Sequence, residues 1–545
     1  MEDTLNYNDS LTFLKVPVNG FHVNHVNNDD STIIINTKEQ RAMSDFCVIS
    51  EPEFVSEIES SGRILQIDAG LSQLLGTTVY DVKDQGSLAG VASTVIESGM
   101  ETSTFLVCNL ASVMKQLIQW REQLPMVEPF YAVKCNPDPV IVRLLASLGC
   151  NFDCATMGEI DLVSNLLGDK LSLSQTAGAT SRRIVYANPA KMEHMLEFAR
   201  DTGVQMTVFD GEDELYKIAK VARGCGRNYG FKLLLRITTE DKASKCPFSK
   251  KFGCPYKDAL DLLKVAQRLG LHVAGVSFHV GSGCGDATAY NTALKHAAQI
   301  FRWAEELSMP PMSIIDIGGG FPGDQGGNGL PSFLEIAAVV RSSIVEFCES
   351  LQRPQETIQF IAEPGRYFVH TCTMIATKIY SRKGGSGACQ ALYVDNGVYG
   401  SFNTVVYDHG KPVCKKLTAN PVPCSRSSME RSGSACSFSS FSGSDCDGNS
   451  MPRSGSGCES VDGSLSRSNS SGSLVVDAAP LIPTAIFGPT CDGLDQMCSM
   501  ESFSLERCEV GEWLVWEDHG AYTHTASFVF NGFTHLPQKL HCFLI

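Results

Sequence analysis

The sequence predicts an α/β protein: a (β/α)8 barrel of the TIM type joined to a second, mostly β domain. Three observations carry this. Eight short apolar or β-branched runs alternate with helical patterns between Phe130 and Ala362, close to the roughly 250 residues of such a barrel. Polar and glycine residues collect at the C-terminal ends of those runs, where barrels place their chemistry. Beyond them the chain changes to short strands bounded by Gly, Asn and Asp turns. A doubly wound open sheet is the competing fold, but it carries its glycine-rich loop after the first strand. Here Gly318-Gly319-Gly320 follows the seventh run.

Taken in order, residues 1–60 are polar apart from Ile33–Ile35 and are expected to form a disordered extension. Residues 61–111 give the β domain strands at Ile64–Ile67 and Phe105–Val107. The barrel, 112–370, takes its strands from Phe130–Val133, Asn151–Ala155, Arg183–Ala187, Met206–Asp210, Leu233–Ile237, Ala274–His279, Ser313–Ile317 and Ile358–Ala362. Helix faces repeat between them, as at Val140, Ile141, Leu144, Leu145 and Leu148, and again at Met192, Met195, Leu196 and Ala199. Residues 371–545 return to the β domain through strands expected at Tyr393–Val394, Thr404–Tyr407, Trp513–Trp516 and Ser527–Phe530. A Ser/Gly-rich insertion at about 414–478 has too few apolar residues to offset its ordering entropy. Its Arg431-Ser432, Arg453-Ser454 and Arg467-Ser468 pairs read equally as phosphorylation sites or as plain linker.

Of the 545 residues, 43% are hydrophobic and 19% charged, and the net charge is -16. Such a chain has little field attraction for nucleic acid or an anionic membrane. No apolar run reaches the roughly 18 residues of a membrane span. Without a basic-then-apolar leader, the 21 cysteines are expected as free thiols in a cytoplasmic protein. Cys436, Cys446 and Cys458 lack the paired spacing of a zinc site, and no metal is expected.

The rim residues carry the chemistry. Lys134 ends the first run, Asp153 lies in the second, Arg236 in the fifth and His279 at the end of the sixth. Asp316 and Gly318–Gly320 close the seventh; Glu363 and Arg366 close the eighth. A lysine desolvated there has a depressed pKa and can form a Schiff base, or it can simply snorkel. The glycines let the backbone approach a phosphate, Arg366 offers a guanidinium fork, and Ser282 adds a hydroxyl. Glu363 suits a pyridine nitrogen, or a salt bridge to Arg366. His279 suits ring stacking, or core packing. In the second domain Cys491 sits in a Gly/Pro-rich turn where a thiol can donate a proton. Asp408 and Asp492 suit an ammonium group, or turn capping.

As a set these residues resemble the eukaryotic ornithine decarboxylases, fold type III pyridoxal-phosphate enzymes with an alanine-racemase-like barrel. The matching blocks include Pro129-Phe-Tyr-Ala-Val-Lys-Cys-Asn136, Asp316-Ile-Gly-Gly-Gly-Phe-Pro-Gly323, Ala362-Glu-Pro-Gly-Arg-Tyr-Phe368, Gly488-Pro-Thr-Cys-Asp-Gly493 and Gly520-Ala-Tyr522. The resemblance covers about 61–413 and 479–535. It implies that Lys134 carries pyridoxal 5'-phosphate, Glu363 meets its ring nitrogen and His279 stacks on the ring. Ser282, Gly319, Gly320, Arg366 and Tyr522 would hold the phosphate, and Asp153 and Arg236 would orient the cofactor. Cys491 would guide protonation after CO2 loss. Tyr407, Asp408, Asp492 and Phe530 would line the pocket for L-ornithine, giving putrescine. It further implies a homodimer in which Cys491 and Asp492 serve the partner's site. Antizyme is raised as a partner, but Met157 and Glu197 fall where that basic surface would have lysines. The insertion, the N-terminal extension and the stretch Leu171–Ser181 are additional to the family pattern. Alternatives are a decarboxylase of lysine, arginine or diaminopimelate, and a non-catalytic homologue like the antizyme inhibitors. A racemase on the same barrel would want a tyrosine base in place of Cys491.

Overall fold

The computed structural model describes residues 66–82, 85–168, 183–223, 230–323, 330–384, 388–417, 480–533 and 537–544, with two dipeptide strands, Leu11–Thr12 and Ile49–Ser50, that pair antiparallel. Most of the expected N-terminal extension, the stretch 171–181 and nearly all of the expected insertion lie outside these residues.

Barrel strands one to eight are Val127–Ala132, Asn151–Cys154, Ile184–Tyr186, Met206–Phe209, Lys232–Ile237, Val273–Phe278, Ile314–Asp316 and Gln359–Ala362. All are parallel, and strand eight closes on strand one through Phe360↔Val127 to Ala362↔Pro129. A helix bridges each successive pair of strands, from Pro139–Ser147 after strand one to Phe333–Leu351 before strand eight. The fold class expected from the alternation is therefore borne out. Period-two alternation explains the closure. Phe130, Val185, Val208, Leu234, Ala274, Ile314 and Ile361 fill the interior. Their neighbours Tyr131, Tyr186, Phe209, Leu235, Val273 and Phe360 pack outward beneath the helices. Strands six and seven approach so closely that a Cβ on Gly275 would stand 1.8 Å from the Ile314 carbonyl oxygen.

The second domain is a sheet built from both ends of the described chain. Its path runs Gln496–Cys498, Leu481–Phe487, Gln390–Val394, Thr373–Lys383, Phe105–Asn109, Gln538–Phe543, Val79–Asp81, Gln66–Ile67. Trp513–Trp516 pairs with Thr373–Lys383 and with Cys414–Lys416. Alternate residues bury on opposite faces. Phe105, Val107, Met374, Ala376, Trp513 and Val515 join one core, capped by the helix Leu88–Glu97. Leu106, Ile375, Leu514 and Trp516 join the other. Among the described residues no helix is long and apolar enough to cross a membrane.

Three expectations fail locally. Thr404–Tyr407 is one turn of helix, not a strand. Val405 and Val406 favour strand in isolation, but the buried Asn403 donates from Nδ2 to the carbonyls of Gly400 and Thr523 and fixes a turn there. Ser527–Phe530 is irregular: Phe530 makes a single bridge, to Phe533. Cys414–Lys416, at the edge of the expected insertion, is a paired strand, because Cys414 buries against Trp516 and Leu514.

Candidate active site

The site lies where the C-terminal rim of the barrel meets the second domain. Strand one runs into a single 3-10 turn, Val133–Cys135, whose buried flanking residues direct Lys134 to the rim. The turn is tied to the β domain. Tyr522 N–H donates to the Cys135 carbonyl (2.8 Å), and Asn136 Nδ2 donates to that of Gly520 (2.8 Å).

Lys134 Nζ makes an ion pair with Asp153 Oδ2 on strand two. Asp153 is fully buried, and its Oδ1 has no partner. Enclosure pulls the lysine toward neutrality, but the carboxylates of Asp153 and Glu363 outweigh it and hold the ammonium above its ordinary range. The depressed pKa expected from desolvation is thus reversed, because two acids share the pocket with the lysine.

Glu363 and Asp316 form a second buried acid pair. Asp316 accepts from Ser277 Oγ (2.8 Å) and Gly318 N–H (2.9 Å). Burial pushes Asp316 up to about 6. Burial, reinforced by Asp153 and Asp316, raises Glu363 well above its ordinary range. Glu363 Oε1 is buried without a partner. His279 is held neutral, first by burial and then by the Arg236 and Lys134 charges. Its Nδ1 accepts from Gly281 N–H (2.9 Å), which leaves the proton on Nε2, and Phe248 packs edge-on at 4.9 Å. Arg236 lies 5.2 Å from the Phe252 ring.

The glycine run needs its composition. Gly318 and Gly320 adopt φ of 65° and 107°, left-handed backbone that favours glycine. A Cβ on Gly319 would stand 2.7 Å from His279 Nε2. Arg366 does not pair with Glu363, one of the two expected pairings. Its Nη2 donates to both oxygens of Asp408 (2.8 and 2.7 Å) and contacts Ser282 Oγ at 3.3 Å. Its guanidinium lies 5.1 Å from the Tyr522 ring.

A cavity of about 450 Å³ joins these groups. Lys134, Arg236, His279, Ser282, Glu363, Tyr407, Asp408 and Tyr522 line it. Cys246, Phe248 and Phe252 also line the wall and were missed in the sequence. They sit in the long connection after strand five. A barrel βα loop of that length is itself a sign of a site. Cys491, Asp492 and Phe530 do not line this cavity. Cys491 is exposed, Asp492 accepts from the Tyr399 hydroxyl and from Leu494 N–H, and Phe530 stacks on Tyr399 at 4.3 Å.

Residues 110–370 match the family described as pyridoxal-dependent decarboxylase, pyridoxal binding domain. An ornithine decarboxylase of Caenorhabditis elegans is 36% identical over 79% of this chain and 86% of its own length. Antizyme inhibitor 2 of Xenopus laevis is 34% identical over 84% of this chain and 86% of its own. The crystal structure of the Paramecium bursaria Chlorella virus arginine decarboxylase superposes with a TM-score of 0.64 at 26% identity, covering 84% of this chain and all of that one.

The residues present fit the family's cofactor. An amine stands on the cavity wall, the buried Asp153 Oδ1, Glu363 Oε1 and Arg366 Nε carry unspent hydrogen-bonding capacity, and the glycine turn leaves room that any Cβ would fill. The chain belongs to the pyridoxal-dependent decarboxylases, the family of the eukaryotic ornithine decarboxylases, and its cofactor is pyridoxal phosphate.

Proposed function

We propose that the protein decarboxylates L-ornithine to putrescine and CO2, as a cytoplasmic homodimer whose two sites are each completed by the partner copy. One observation carries the reading: a single cavity is lined by Lys134, His279, Ser282, Glu363, Asp408 and Tyr522, with Asp153 paired to the lysine and Arg366 paired to Asp408. Bound pyridoxal phosphate supplies an electron sink for the negative charge left when CO2 departs. Lys134 anchors the cofactor and Asp153 holds its amine in place. Glu363, beside Asp316, would pair with the ring nitrogen, and neutral His279 would stack on the ring without adding a competing charge. Arg366, Ser282, Gly318, Gly319, Gly320 and Tyr522 hold the phosphate, while Arg236 orients the cofactor.

Asp408 accepts the distal ammonium of ornithine. Cys491, exposed and outside its own chain's cavity, reaches the partner's site to deliver a proton to the α-carbon, with Asp492 and Phe530 beside it. All fifteen described cysteines are free thiols, which suits a reducing compartment. The Xenopus relative's name prompts a purely binding role, against which the intact lysine–acid and phosphate constellation weighs.

The test is CO2 release by the purified protein with added pyridoxal phosphate, comparing ornithine, lysine, arginine and diaminopimelate. A strong ornithine preference is expected. Preference for another amino acid would keep the chemistry and move the specificity, and no release from any would overturn the enzymatic reading.

A further inference from the structure

Arg366 and Asp408 were assigned to different ligands, phosphate and ammonium, yet they hold each other. Both oxygens of Asp408 accept from Arg366 Nη2, at 2.8 and 2.7 Å. The side chains are 10% and 14% exposed, so solvent and salt screen the pair weakly. A phosphate arriving on this guanidinium meets a carboxylate already there. Two anions on one fork repel, and each weakens the other's hold.

The surroundings decide which partner yields. Arg366 is fixed. It opens the short helix Arg366–Val369 directly after strand eight, with the Tyr522 ring against its guanidinium. Tyr522 in turn is held at φ 59° with its N–H on Cys135. Asp408 ends a single helical turn whose Val406 and Tyr407 are exposed, and is followed by His409 at φ 51°. Its further contact is the weak donor Cys246 Sγ, at 3.5 Å. Asp408 is the member that can swing. An ammonium in the cavity offers it a replacement cation, and that frees the arginine for phosphate.

We propose that Asp408 is a shared gate between cofactor and substrate: it blocks Arg366 until an ammonium draws it away, so that phosphate and diamine bind with positive coupling. This rests on the reading of Asp408 as the acceptor of the substrate's distal ammonium. Linkage makes the effect reciprocal: each ligand tightens the other by the same factor.

The experiment uses the full chain and pyridoxine 5'-phosphate, which carries ring and phosphate but no aldehyde and so binds reversibly without reacting with Lys134. Its affinity is measured by calorimetry with and without putrescine. In the wild type, putrescine should tighten it roughly tenfold, within the usual range of coupling between sites. Asp408→Asn should bind it roughly tenfold more tightly without putrescine and gain nothing when putrescine is added. Asp408→Ser should behave alike, and the wild-type coupling needs no variant at all. Equal or weaker phosphate affinity in both variants would overturn the gate. Failure of the substrate reading shows separately, as absent CO2 release from ornithine. The variants' phosphate affinity without amine stays decisive in that case, because it does not depend on which amine the enzyme uses.

Discussion

Lys134 shows how neighbours overrule a residue's intrinsic tendency. Burial alone would release its proton, yet Asp153 and Glu363 retain it. Lys134→Ala should lose the visible absorbance of the bound cofactor and drop turnover by more than roughly 10³-fold, the scale seen when a covalent catalyst is removed. Full turnover in that variant, assayed against the wild type at saturating cofactor, would sink the assignment. The rim residues were legible because a strand end is a position that sequence periodicity locates. The Arg366–Asp408 pair was not, since no local pattern links residues of separate domains. Nor was the sign of the lysine's shift, which depends on how many carboxylates share its pocket.

At the level of elements, the barrel strands were legible because alternation and length both point the same way. The single turn at Thr404–Tyr407 was misread because its valines speak for strand while the buried Asn403, through tertiary hydrogen bonds, dictates otherwise. Equally unreadable was the clasp on the helix Pro139–Ser147. Its N-cap, Asp138, accepts from Val140 N–H and also meets Lys539 Nζ and, at 3.0 Å, His541 Nε2 on the strand Gln538–Phe543. Asp138→Ala should cost about 3–5 kcal/mol, because it strands the buried His541 and the part-buried Lys539 without a counter-charge. Urea unfolding would show this, and a loss near the ~1 kcal/mol of a simple cap would mean the cations are not held. Burial works against a charged His541, but its hydrogen bond to Asp138 prevails and raises its proton affinity. A raised folded pKa stabilises fully below the unfolded value of about 6.5 and is lost as pH rises through the folded value. The melting-temperature gap between wild type and His541→Gln should therefore be widest below about pH 6.5 and close at alkaline pH. The carboxyl of Asp138 is held below its usual range despite burial, chiefly by His541 and Lys539. Its own contribution should persist at neutral pH and fade only in acid, below about pH 3.9.

For the whole molecule, Cys491 is exposed and outside the cavity of its own chain, and the proposed homodimer would bring the partner's copy of it to that cavity. Lys134→Ala and Cys491→Ala chains, each inactive alone, should regain about a quarter of wild-type activity when mixed and allowed to exchange. Half of the dimers are then hybrids, each with one intact site. Mixtures that stay inactive while exchange is verified would place Cys491 outside the composite site. Both barrel and sheet were legible as classes. The sheet's strand order was not, because it joins segments at opposite ends of the described chain. Asn109 bonds Leu544 across 435 residues, and the strand Gln538–Phe543 slots in parallel between Phe105–Asn109 and Val79–Asp81. This arrangement sets a timetable on the ribosome. The barrel can close while the chain is still being made, but Phe105–Asn109 and Val79–Asp81 must wait, with the backbone positions that Gln538–Phe543 will pair left open. For that interval they are open to misplaced pairing, so the nascent protein should depend most on chaperones until Gln538–Phe543 has emerged.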